Sequence, residues 1–188
     1  MDFKTFISRL EEVRDIGRIE NGYSHIVYNV MYDHVLDSEK YMLVDVSTYR
    51  RTKNKKPINE EFLGKDLCAV PDFVITNKTT KLRKIQRLGC IEVKFHDKDV
   101  DVHLATENNS IRLSRKDDKK GYLEVYNHHV IYTNGWKWNY YDGSLEDDGK
   151  TYKALTFDFT KKDQQTEERY KELIKKLCNI NWNISSKK

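Results

Sequence analysis

The chain has 188 residues, of which 34% are charged and 38% hydrophobic, with a net charge of +4 from 34 bases and 30 acids. That length fits one domain, residues 1–188, with a sizeable core, and no apolar run approaches the roughly 18 residues that a membrane span needs. The start, "MDFKTFISRLEEVRDIGR", alternates acids, bases and apolar residues, which is not the pattern of a secretory signal.

Phe3, Phe6, Ile7, Leu10, Val13 and Ile16 recur at spacings of three and four, predicting an amphipathic helix over 3–16 that Gly17 interrupts. Tyr23, Ile26, Val27, Val30, Met31, His34 and Val35 predict a second helix. "YMLVDVSTY" (41–49) is rich in strand formers. Residues 50–66 are polar, contain Pro57 and Gly64, and read as a loop. Two apolar runs follow at 69–76 and 89–96, and the "NKTT" turn between them predicts an antiparallel pair. After a polar stretch at 97–120, "YLEVYNHH" reads as a short helix and "VIYTNG" as a strand. "WKWNYYD" and "TYKALTFDF" read as strands around the acidic loop "GSLEDDGK". A closing helix over 163–180 presents Tyr170, Leu173, Ile174 and Leu177. Helices, mixed strands and a terminal helix together predict an α/β or α+β domain.

The charge is unevenly spread. "RRTKNKK" (50–56) and "KTTKLRKIQR" (78–87) are basic, while "DGSLEDD" (142–148) is acidic. A basic run alone is an ordinary solvated loop. Two of them flanking acid-bearing strands make Arg50, Arg51, Lys53, Lys81, Arg83 and Lys84 candidate contacts to a phosphate backbone. The three cysteines, Cys68, Cys90 and Cys178, lack Cys-x-x-Cys spacing. They predict neither a disulfide framework nor a zinc cluster, and a reducing cytoplasmic setting.

The chemistry concentrates in "AVPDFVITNKTTKLRKIQRLGCIEVKF". Residues two apart on a strand share a face, so Glu92 and Lys94 point one way while Ile91, Val93 and Phe95 can pack into the core. An antiparallel neighbour could bring Asp72 beside Glu92, where two carboxylates repel unless a cation sits between them. Their oxygens suit Mg²⁺. An ammonium group beside that ion could hold an attacking water and offset developing charge on phosphorus. The bland alternative is a structural salt bridge, with Glu92 and Lys94 on a solvent-facing strand edge and Asp72 ending a turn.

"VPDFVI" followed by "CIEVKF" resembles the motif pair of the PD-(D/E)XK nuclease superfamily, with Pro71-Asp72 as the first half and Glu92-Val93-Lys94 as the second. "VIYTNGWKWNYYD" is similar to the strand–turn–strand of the N-terminal nuclease domains of type I restriction enzyme R subunits. The likeness runs from about residue 17 to 160. It implies a restriction-endonuclease-like mixed β-sheet flanked by helices. It also implies that Asp72 and Glu92 ligate Mg²⁺, with Mn²⁺ as a substitute, that Val93 adds its main-chain carbonyl, and that Lys94 positions the nucleophilic water. The family adds a helical Glu before the Pro-Asp strand. Glu20 fits that place, although an acid at a helix start is also favoured by the macrodipole, and Asp45 is a weaker substitute. The chain departs from the family in having no Gln after Glu-x-Lys, where Lys120, Tyr122 or Tyr126 could stand in.

Other candidates carry less. "HDKDVDVH" (96–103) lacks the Gly and the final Glu of a calcium loop. His128 and His129 read as strand neighbours on opposite faces, at the surface or partly buried. Trp136, Trp138 and Tyr140 read as an aromatic core stripe rather than a base-stacking platform. Cys68 and Cys90 lie in apolar runs and read as small hydrophobes. The expectation is therefore a Mg²⁺-dependent DNA endonuclease, with DNA ahead of RNA as substrate, no membrane partner, and a homodimer permitted. Its rivals are an RNase on the same fold and a nuclease-like fold that binds or inhibits a partner without catalysis.

Overall fold

A computed structural model describes residues 1–16, 20–47, 70–94, 121–149 and 151–183; the side chains of Glu20 and Leu82 are outside that description. Helix α1, Phe3–Ile16, begins where Asp2 caps it: Oδ1 accepts from the Thr5 amide at 2.9 Å and Oδ2 from the Thr5 hydroxyl at 2.9 Å. Its apolar stripe buries Phe6 and Leu10. Ile16, at the end of the stripe, is 80% exposed.

Helix α2, Glu20–Val30, buries Tyr23, Ile26, Val27 and Val30 at helical spacing. The chain then widens into one π-turn, Met31–Val35, closed by the Leu36 amide on the Met31 carbonyl at 2.9 Å. The extra residue rotates His34 out of the predicted stripe to an exposed position, leaving Met31 and Val35 buried.

Six strands follow in spatial order β1 (Tyr41–Asp45), β2 (Phe73–Asn77), β3 (Arg87–Val93), β4 (Val130–Thr133), β5 (Lys137–Leu145) and β6 (Tyr152–Asp158). All neighbours are antiparallel except β3 and β4, which run parallel with Cys90 opposite Val130. A parallel pair needs a crossover, and α3 (Tyr122–Val125) lies on it. Helix α4, Thr166–Cys178, closes the described chain with Tyr170, Leu173 and Leu177 buried. The fold is thus α+β, a mixed sheet with four α-helices among the described residues.

The sheet separates two cores. On one face Phe73, Ile75, Ile91, Val93 and Ile131 meet α1, α2, α4 and the indoles of Trp136, Trp138 and Trp182. On the other Val74, Cys90, Val130, Tyr132 and Tyr141 meet Tyr122 and Leu123 of α3 and Tyr126 just after it. Gly89 lets Trp182 close in, since a Cβ there would lie 2.8 Å from the indole. The aromatic stripe is core, as expected: Trp136 and Trp138 are each 1% exposed.

The histidine pair differs from expectation. Both are buried, and they precede β4 instead of lying in it, because Asn127 and His128 adopt positive φ at the end of the α3 turn. Burial, reinforced by Asp142, pushes the Tyr140 pKa well up, so its hydroxyl stays protonated, and it shares a hydrogen bond with His129 Nδ1 at 2.7 Å. Cys90 is buried, while Cys68, Gly17, the basic run 50–56 and the 96–103 segment lie outside the described residues.

Candidate metal centre

Asp72 sits just ahead of β2, next to Phe73, which faces Ile91 of β3. Asp72 is held by its own main chain: its amide donates to the Ile91 carbonyl at 3.1 Å, and its carbonyl accepts from the Val46 amide at 2.9 Å. Its carboxylate Oδ2 accepts from the Val93 amide at 2.7 Å. The acid thereby takes the ladder bond that Pro71 stands beside, and Pro71 has no N–H to return.

The Val93 carbonyl can be placed from the same geometry. The Lys94 amide donates to the Thr133 carbonyl of β4 at 2.8 Å. No peptide is cis among the described residues, so the Val93 carbonyl points the opposite way, toward the β2 flank where Asp72 sits. Pro71 offers no amide to it. The Pro-Asp sequence therefore sets a main-chain oxygen and a carboxylate on the same flank.

Glu92 is 2% exposed and Asp72 4% exposed. Glu92 Oε1 accepts from Lys94 Nζ at 2.6 Å, and Oε2 accepts from the Tyr122 hydroxyl at 3.2 Å. Lys94 Nζ lies 5.9 Å from the Tyr132 ring centroid. The pair is not on a solvent-facing edge: β3 is the third of six strands, and the Glu92 and Lys94 side chains are 3% and 13% exposed. Charges this buried cost several kcal/mol each in desolvation, and a well-packed apolar pair would serve stability as well or better.

Beside Asp72 a cavity of about 360 Å³ opens between α2 and the ends of β1 and β2. Asn21, Ser24, His25 and Tyr28 line it from the helix, and Asp45 and Ser47 from the end of β1. These helix residues form a second stripe at spacings of three and four, offset from the apolar one. That stripe is the sequence signal by which they could have been found. Asp45 lies on the same cavity as Asp72, and its Oδ1 accepts from the Ser47 amide at 2.9 Å and hydroxyl at 2.7 Å.

Asp72, Val93, Glu92 and Lys94 are brought together, with Tyr122 added from α3. Glu20 opens α2 one turn before Ser24, and its side chain is not described. Arg50, Arg51, Lys53 and Lys120 also lie outside the described residues. Lys81, Arg83 and Lys84 are exposed on the connection from β2 to β3, at the end of the hairpin remote from Asp72. The length of β2 puts them roughly 17 Å or more away.

A divalent cation fits this donor set. The Asp72 carboxylate, the neighbouring Glu92 carboxylate and the Val93 carbonyl are hard oxygen donors of the kind Mg²⁺ prefers, with further positions left to water and substrate oxygen. Among the described residues no three His, Cys, Asp or Glu side chains converge, so a cation would depend on that mixed set. Comparison with known proteins finds no matching family model, no matching curated protein and no matching solved structure.

Proposed function

We propose that this chain is a metal-dependent nuclease hydrolysing phosphodiester bonds, with DNA ahead of RNA as substrate. The observation that carries the reading is the burial of Asp72 and Glu92 at one end of the β2–β3 pair, with Asp72 bonded to the amide of Val93, the residue after Glu92, and Lys94 bonded to Glu92. Three charged groups gathered at such cost need a use, and phosphodiester hydrolysis supplies one. The likeness of the Pro-Asp and Glu-x-Lys segments to the PD-(D/E)XK superfamily supports it.

In this reading Asp72, Glu92 and the Val93 carbonyl hold Mg²⁺, or Mn²⁺ in its place. A cation there supplies Lewis-acid polarisation of the phosphate and a more acidic bound water. Tyr122 orients Glu92 through Oε2. Lys94 hydrogen-bonds the attacking water and offsets negative charge as phosphorus becomes five-coordinate. Lys81, Arg83 and Lys84 lie far enough from the centre to contact phosphates several nucleotides away, and binding should fall steeply with salt if they do.

The test is cleavage of plasmid, linear and single-stranded DNA and matched RNA with Mg²⁺ or Mn²⁺. Wild type is compared with Glu92→Ala and Lys94→Ala. Loss of about a hundredfold or more in each variant is expected. Absence of cleavage by the wild type on every substrate would sink the reading in favour of a binding module.

A further inference from the structure

We propose that the cavity beside Asp72 is a pocket for one unpaired nucleobase carrying an exocyclic amino group, adjacent to the phosphate that is cut. The proposal rests on the nuclease reading and names its substrate class: single-stranded nucleic acid, or a duplex from which one base has been turned out.

Size is the first argument. At about 360 Å³ the cavity is at the small end of ligand sites, which run from about 300 to 1,000 Å³. One base with its sugar is the scale it suits. Charge is the second. Among the described residues Asp45 and Asp72 line it and no Lys or Arg does, and that pair of carboxylates favours a neutral, donor-rich group.

Chemistry is the third. Asp45 Oδ1 is fixed by two bonds from Ser47, and among the described residues nothing donates to Oδ2. That oxygen is a preset acceptor for an amino group of adenine, cytosine or guanine; thymine and uracil have no such group to offer. Asn21, one turn before Ser24 and His25 on the same helix face, adds an amide that can both donate and accept. Tyr28 and Phe73 give the pocket aromatic walls, their rings 5.9 Å apart at 51°. Tyr28 is itself braced by Tyr32, stacked at 5.6 Å. Aromatic surface of this kind holds a base whatever its sequence, while the carboxylate discriminates.

The placement also fits. Of the three charged strand residues only Asp72 reaches the cavity, so a base lodged there leaves its phosphate beside the Asp72–Glu92 flank.

The experiment uses fluorescently labelled hexanucleotides of deoxyadenosine, deoxycytidine and deoxythymidine. They are titrated with the full chain in Ca²⁺ over times in which the probe stays intact. Wild type should bind the adenine and cytosine probes about tenfold more tightly than the thymine probe. Asp45→Asn should bring the ratio close to one; differences in stacking within the free probes cancel in that comparison. Equal binding of all three by the wild type, or a ratio that Asp45→Asn leaves intact, overturns the pocket. Cleavage is measured separately on the same probes in Mg²⁺. Base preference without cleavage would keep the pocket and reject the nuclease; cleavage without base preference would do the reverse. Asn21→Ala, at an exposed helix position, serves as the second variant and should weaken binding of the adenine probe most.

Discussion

The two faces of the sheet are built to different rules. The face under α1, α2 and α4 is apolar, joining Phe6, Leu10, Ile91, Val93, Ile131 and the tryptophans. The face under α3 carries Val74, Cys90, Val130 and Tyr132 against Tyr122 and Tyr126, and Tyr122 reaches on to the buried carboxylate of Glu92, with Asp72 buried at the same end. Those two are the buried acids among the described residues. The contrast separates two tasks within one sheet. One face supplies hydrophobic stabilisation in proportion to its buried area; the other accepts a stability cost to hold charge in place.

The largest expected effect tests that division directly. Lys94→Met alone strands the Glu92 carboxylate in the interior without its cation, and should lower unfolding free energy by about 3–5 kcal/mol. Adding Glu92→Leu should restore stability to the wild-type level or above it, because the pair is then replaced by packed apolar volume. Phe6→Ala on the opposite face should cost about 3–5 kcal/mol, and no second substitution at Glu92 should recover it. Denaturant unfolding of the wild type, Lys94→Met, Lys94→Met with Glu92→Leu, Phe6→Ala and Phe6→Ala with Glu92→Leu checks this. A double variant as unstable as Lys94→Met would mean that the ion pair holds the fold, and the two faces would no longer differ in kind.

Much of this contrast is legible in the sequence where periodicity carries it. The stripe through Phe6 and Leu10, the one through Tyr23, Ile26, Val27 and Val30, and the last through Tyr170, Leu173 and Leu177 appear as helices with those residues buried. Charged residues inside apolar strand runs point equally well to Asp72, Glu92 and Lys94. What escapes is whatever depends on a third element. Ile16 has the right spacing but no core to meet, and His34 is turned outward by a π-turn that no composition signals. His128 and His129 are buried by a positive-φ turn and by Trp182, far along the chain. The cavity stripe of Asn21, Ser24, His25 and Tyr28 looks like an ordinary solvent face until β1 is laid against it.

A middle-sized effect probes how α3 serves the charged face. Tyr122 is 1% exposed and gives Glu92 its second hydrogen bond. Tyr122→Phe keeps the ring and removes the donor, which should cost about 1–2 kcal/mol. If the site binds Mg²⁺ and the hydroxyl orients Glu92 for it, millimolar Mg²⁺ should raise the melting temperature of the wild type and raise that of the variant less, since stabilisation by a ligand follows its affinity. A variant as stable as the wild type, with an unchanged Mg²⁺ response, would make Tyr122 simple packing for the second face.

The smallest effect belongs to the apolar face and has a pH signature. Asp2 caps α1, and the Thr5 amide first, then the Thr5 hydroxyl, hold its carboxyl below the usual carboxylate pKa. A pKa lower in the folded than in the unfolded chain stabilises above the unfolded value, near pH 4, and that contribution is lost as pH falls through the folded value. Asp2→Ala should therefore be less stable than wild type at pH 7, with the gap narrowing as pH is taken below 4. The exposed position keeps the effect small. Because α1 brings Phe6 and Leu10 to the core, the cap still bears on the apolar face as a whole. A gap independent of pH would mean that the cap acts through its hydrogen bonds alone and that its charge contributes nothing to the anchoring of that face.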